Sequence, residues 1–120
     1  MMSNFDQTSP ETLSLVADYF KVLSEVSRLQ IVNCLREKPM NGKQIAEETG
    51  LGQANLSKHL KVLTQAGVLK REQQGVSVYY RIKDPMIFEL CELVCGTISN
   101  EFKERAESFS QLSSFNLVRN

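Results

Sequence analysis

A chain of 120 residues, 42% hydrophobic and 23% charged, is one domain's worth and can bury a modest core. Its fourteen basic side chains balance fourteen acidic ones overall, but residues 28–81 hold nine Lys/Arg against four Asp/Glu while the flanks hold five against ten, so a basic centre suited to a phosphate backbone lies between acidic ends. No apolar run nears the ~20 residues of a membrane span, the start MMSNFDQTSPET lacks the order of a secretion signal, and three cysteines do not make a disulfide framework; a cytoplasmic protein with reduced thiols and no membrane partner is expected.

In chain order, Ser9-Pro10-Glu11-Thr12 offers a cap, a first-turn proline and an early acid. Leu13, Val16, Ala17, Phe20 and Leu23 then form an apolar stripe, predicting a helix over about 10–24. A second helix is expected from Val26 or Ser27 to Glu37, stopped by Lys38-Pro39. A third, short one runs from Gly42 to Glu48 and ends at Gly50, a residue suited to a left-handed cap. After Thr49-Gly50-Leu51-Gly52, the spacing of Leu56, Leu60 and Leu63 predicts a fourth helix, closed by Gly67, with its polar residues outward. Val68–Arg71 and Val76–Ile82 are expected as two strands around a Glu72-Gln73-Gln74-Gly75 turn. Asp84-Pro85 opens a last helix to about residue 109, whose broad face of Ile87, Leu90, Cys91, Val94, Cys95 and Ile98 is too apolar for water. Residues 110–120, without period, are expected to be a flexible tail.

The order helix, turn, helix, winged hairpin carries the functional signal. The fold expected is mainly α with a small β-hairpin, a single winged helix-turn-helix domain over residues 1–120. Residues 10–37 supply core and dimer helices, 42–82 the DNA-binding module and 84–109 a dimerisation helix. On the fourth helix Gln53, Asn55, Ser57, Lys58, His59 and Lys61 are candidate DNA contacts. Amides pair bidentately with adenine edges, ammonium and hydroxyl groups reach guanine acceptors or phosphates, and no carboxylate lies between Gln53 and Gln65. His59 has no ligand partner at helical spacing, so contact with backbone, or packing, is the reading favoured over metal binding. On the wing Lys70, Arg71 and Gln74 are the candidates. In a chain this small the apolar stripes of the first and last helices are expected to meet a second copy of the chain, giving a homodimer. An enzyme is disfavoured: there is no Gly-rich phosphate loop, no convincing carboxylate pair, and one histidine without a nucleophile elbow.

These residues resemble the ArsR/SmtB family of bacterial winged helix-turn-helix repressors over essentially residues 12–103. The resemblance rests on Phe20-Lys21-Val22-Leu23-Ser24 followed by Ser27-Arg28-Leu29-Gln30-Ile31, on Leu56-Ser57-Lys58-His59-Leu60, on residues 63–68, and on Val78-Tyr79-Tyr80-Arg81-Ile82. It implies a dimeric repressor joined through its first and last helices, with recognition helices in successive major grooves of an inverted-repeat operator, ~34 Å apart. It also implies release by an effector, usually a metal ion, a metalloid or an oxidising sulfur species.

Two of the family's sensor sites are absent. Where the metalloid motif has Cys-Val-Cys-Asp, this chain has Asn41-Gly42-Lys43-Gln44; of the zinc site on the last helix only Asp84 matches, with Met86, Thr97 and Asn100 at the other places. The wing has Val76 after its turn glycine, where relatives often have a basic residue. Sensing is left to Cys34, Cys91 and Cys95. Cys91 and Cys95, four apart on a helix, have β-carbons ~5 to 6 Å apart. A disulfide wants ~3.8 Å, so a direct bond is strained, whereas a polysulfide bridge or a soft ion with metal-sulfur bonds of ~2.3 Å spans the gap. Relatives that sense reactive sulfur pair a cysteine on the second helix with one on the last; Cys34 supplies the first element, although the registers do not match cleanly. The expectation is thiol-based sensing with no required cofactor; a soft metal or metalloid ion on Cys91 and Cys95, a protein-interaction module without effector, and plain packing of the cysteines are the alternatives.

Overall fold

The computed structural model describes Phe5 and residues 8–116. The order is α1 (Pro10–Val22), α2 (Val26–Cys34), β1 (Met40–Asn41), α3 (Gly42–Thr49), α4 (Gln53–Gln65), β2 (Leu69–Gln74), β3 (Ser77–Ile82) and α5 (Met86–Asn116). They form two compact units, residues 1–84 and 85–120. No helix among the described residues is long and apolar enough to cross a membrane.

The first unit is a helix-turn-helix built on local chemistry. Ser9 caps α1 by accepting from the Thr12 amide. At α3, Asn41 accepts from the Gln44 amide and the Gln44 side chain accepts from the Asn41 amide, a reciprocal capping box that satisfies two otherwise orphan donors. The four residues standing in place of the family's metalloid ligands thus include both halves of a helix cap. Gly50, at φ 74°, ends α3 in the left-handed region that a side chain would strain. The Thr49 hydroxyl donates to the Ile45 carbonyl and accepts from the Leu51 amide, fixing the turn into α4. At the far end of α4 the Gly67 amide donates to the Thr64 carbonyl and the Val68 amide to that of Leu63, the two bonds of a Schellman cap.

Ile31, Val32, Ile45, Leu56, Leu60, Leu63, Val68 and Leu69 make the core of this unit, where α2, α3, α4 and β2 meet. Burying each large aliphatic side chain contributes ~1.5 to 3 kcal/mol, so the polar face of α4 is held from behind by its own leucines.

Several expectations shift. α1 and α2 end two or three residues early, at Val22 and Cys34. A strand not foreseen, β1, pairs with β3 through Met40↔Tyr80 and Asn41↔Tyr79, giving the sheet order β1-β3-β2. Two residues carry too little pattern to be seen without their partner. The wing turn is also tighter: β2 and β3 stay paired to Gln74↔Ser77, leaving only Gly75 and Val76 between them. Gly75 has φ 64° and among the described residues no non-glycine residue, Val76 included, has positive φ, as a two-residue II′ hairpin requires. Finally, α5 continues to Asn116 rather than stopping near 109, since after Gly96 the sequence offers no Pro or Gly to break it; of the expected flexible tail, residues 117–120 lie outside the described residues.

Candidate nucleic-acid interface

Helix α4 divides cleanly. Leu56, His59, Leu60 and Leu63 are buried, at the i, i+3, i+4, i+7 spacing of an inward face. Gln53, Asn55, Ser57, Lys58 and Lys61 are all exposed, as expected of groups that read a groove. The N-cap of α4 is Gly52, with no side-chain cap, so the positive end of the helix faces outward without a competing hydroxyl or carboxylate.

His59 is the correction. Three residues after Leu56 and four before Leu63, it shares their inward face and is 9% exposed, so it is not placed to touch DNA. Its Nδ1 accepts from Nε of Arg28 at 3.2 Å. The same guanidinium donates to the Val22 carbonyl at 3.1 Å and pairs with Glu25 at 2.9 Å. Arg28 therefore ties the end of α1, the start of α2 and the middle of α4 together, with Nδ1 of His59 as one of its acceptors. The Glu25 carboxylate stands 3.6 Å from that nitrogen. Sequence reasoning missed this role of Arg28 because its partner lies 31 residues away.

On the wing, strand pairing sorts the candidates by face. Since side chains alternate and Leu69↔Ile82, Arg71↔Tyr80 and Gln73↔Val78 are register partners, Arg71 shares a face with buried Leu69 and with Tyr80. Lys70 and Gln74 are exposed on the opposite face, with Glu72, Tyr79 and Arg81. There Arg81 donates to Glu72 at 2.7 Å, and that bond, with the charges of Arg81 and Lys70, holds the Glu72 carboxyl below the usual range. Arg81 is thus neutralised locally. Arg71 instead joins Ser57, Lys61, Thr64, Gln65 and Tyr80 around a cleft of about 210 Å³ between α4 and the wing. Tyr80, Thr64 and Gln65 were not among the expected contacts; only the register and the packing of α4 on β2 bring them there.

The cysteines occupy different settings. Cys34, half-buried, donates to the Ile31 carbonyl, and burial, with the charge of Glu48, pushes its thiol above the usual range. That disfavours the thiolate which reaction or metal binding needs. On α5, Cys91 is half-buried and Cys95 exposed, in register with exposed Val94, Ile98 and Phe102. Among the described residues no three His, Cys, Asp or Glu side chains gather into a metal site.

Comparison with known proteins agrees with this architecture. The family described as bacterial regulatory protein, arsR family, matches residues 25–71. The chain is 37% identical to the cadmium resistance transcriptional regulatory protein CadC of Listeria innocua, over 77% of this chain and 73% of that one. It is 30% identical to the HTH-type transcriptional regulator Rv0081 of Mycobacterium tuberculosis, over 82% of this chain and 87% of the relative; the crystal structure of Rv0081 superposes with a TM-score of 0.74, covering 82% of this chain and 99% of that one. The solution structure of the homodimeric winged helix-turn-helix DNA-binding domain of Mb0332 from Mycobacterium bovis, 27% identical, superposes with a TM-score of 0.71 over 81% and 93% of the two chains.

Proposed function

Because the chain belongs to the ArsR family of bacterial regulatory proteins, we propose that it is a transcriptional repressor that binds an inverted-repeat operator as a homodimer and leaves it when an effector acts on its cysteines. The observation that carries the DNA contact is the outward face of α4: Gln53, Asn55, Ser57, Lys58 and Lys61 are exposed, carry no carboxylate among them, and stand on a rigid leucine backing. Amide and ammonium groups in that arrangement read base edges and anchor to phosphates. Lys70, Arg71 and Gln74 extend the surface onto the wing, which contributes less charge than its arginine count suggests because Arg81 is paired.

The dimer reading is supported by surface that one copy leaves uncovered. No residue of α1 is buried, and Leu13, Leu15 and Phe20 are exposed. On α5, Leu93, Val94, Ile98, Phe102 and Phe109 are exposed as well. Apolar surface on this scale marks an interface, and in helix-turn-helix dimers the recognition helices meet half-sites about one DNA turn, ~34 Å, apart. Titrating a duplex selected in vitro from a randomised pool, in rising salt, tests the whole reading. Affinity should fall steeply as bound counterions compete, and a flat response would sink it.

For the effector, the Cys91–Cys95 pair is the favoured centre and Cys34 the weaker candidate, since its thiol is held protonated. Reaction of the two thiols with a polysulfide, which supplies the inserted sulfur and the oxidising equivalents and is itself reduced to sulfide, to form a bridge across one helical turn, or capture of a soft ion by two thiolates, would alter the face proposed to meet the second copy. The likeness to a cadmium resistance regulator supports the soft-metal version. Operator affinity of the reduced protein, and after tetrathionate, polysulfide, Zn(II), Cd(II) or As(III), separates the two. Whichever treatment weakens binding should lose its effect in Cys91→Ser, and if none weakens it the thiols only pack.

A further inference from the structure

The cleft between α4 and the wing differs from the rest of the basic surface. Two cations, Lys61 and Arg71, line it without a carboxylate, and among the described residues neither has an acidic partner. Tyr80 and Ser57 add hydroxyl donors from opposite walls. The buried side-chain oxygen without a hydrogen-bond partner, that of Thr64, belongs to the same wall. On the other face of the same hairpin the comparable cation, Arg81, is satisfied by Glu72 at 2.7 Å. Beside the apolar wall of Leu60, an arginine and a lysine without an acidic partner share the cleft with hydroxyls, a donor set that suits an acceptor-only, doubly ligated oxyanion; a base edge, which mixes donors with acceptors, suits it less.

We propose that this cleft seats one phosphate of the DNA backbone, gripped between Lys61 and Arg71 with the Tyr80 hydroxyl as a further donor. The inference rests on the DNA-binding reading and makes it specific: the anchoring contact lies at the base of the wing, where sheet meets recognition helix, and not at its tip, where the fully exposed residue is Val76. Such a contact sets the register of α4 on the duplex and carries no sequence information.

The test compares wild type, Arg71→Gln, Arg71→Lys and Tyr80→Phe on the in-vitro-selected duplex and on a scrambled duplex of the same composition, across a salt series. Arg71→Gln should weaken both duplexes by the same factor, about tenfold near ~0.1 M salt, and make the slope of log affinity against log salt shallower by about one. Arg71→Lys should restore the slope, because it keeps the charge. Tyr80→Phe should weaken both duplexes about threefold with the slope unchanged. A loss confined to the selected duplex would mean that Arg71 reads a base, and overturns the proposal. Unchanged affinity and slope in Arg71→Gln, with wild type still steeply salt-dependent, overturns it while leaving the repressor reading intact. A flat wild-type response removes both.

Discussion

The helix-turn-helix unit and α5 solve the problem of apolar surface in opposite ways. In the first unit the leucines of α4 and the isoleucines of α2 and α3 are covered by their own chain, with Ile31, Ile45 and Leu63 fully buried. Along the part of α5 whose side chains are described, residues 86–110, Ile87 is the buried residue, and every residue from Glu92 to Ser110 is exposed, five large apolar ones included. A surface that reads DNA has to keep its shape before it meets the duplex, so its support is internal. The dimer surface proposed on α5 would be finished only by association, which would leave it open to control by whatever changes its chemistry, and two cysteines, Cys91 and Cys95, stand on that helix.

If that contrast holds, substitutions in the two regions should fail differently. Leu63→Ala should cost the most, ~3 kcal/mol within a usual ~2 to 5, as a urea midpoint lowered by a similar amount at every protein concentration. Ile98→Glu should convert dimer to monomer in sedimentation and abolish the rise of the urea midpoint with protein concentration that a dimer shows, weakening operator binding about a hundredfold because the second half-site is no longer tethered. A dimer surviving Ile98→Glu would break the comparison. Arg28→Ala should come next, at ~1 to 3 kcal/mol, since it strands the acceptors of His59 and Val22; His59→Gln, which leaves Arg28 in place and keeps an acceptor for it, should cost less.

The smallest effect belongs to Glu72→Gln. Its carboxyl is held below the usual range by Arg81, so the ion pair stabilises the wing above the ordinary glutamate range, and that contribution is lost as pH falls through the lowered value. The variant should flatten this stretch of the acid-side stability profile. It should also tighten DNA binding a few-fold by releasing Arg81; weaker binding would mean that the Arg81–Glu72 pair shapes the interface.

Elements whose cause is local were legible in advance. The span of α4, its outward polar residues, the left-handed cap at Gly50 and the start of α5 after Asp84-Pro85 all follow from spacing and from residues a few positions apart. What went unseen depends on distant partners. β1 exists because Met40 and Asn41 find Tyr80 and Tyr79. His59 looked like one more polar residue of a recognition helix until the spacing of its buried neighbours and the reach of Arg28 turned it inward. The wing candidates could be named but not sorted, because a strand's faces acquire meaning only once its register and its covered side are known.

The sequence by itself determined the basic stretch from residue 28 to 81, the carboxylate-free face of the fourth helix, and the absence of the two metal-ligand motifs at Asn41–Gln44 and along α5. Those are matters of residue type and short spacing. Only the tertiary structure decided that Arg28 braces α4 through His59, that Arg81 is spent on Glu72, and that Arg71 shares a cleft with Lys61 and Tyr80. Each is a meeting of side chains from different elements, fixed by packing and strand register, and the free energy that selects it comes from burial and hydrogen bonds that no local stretch of chain can make alone.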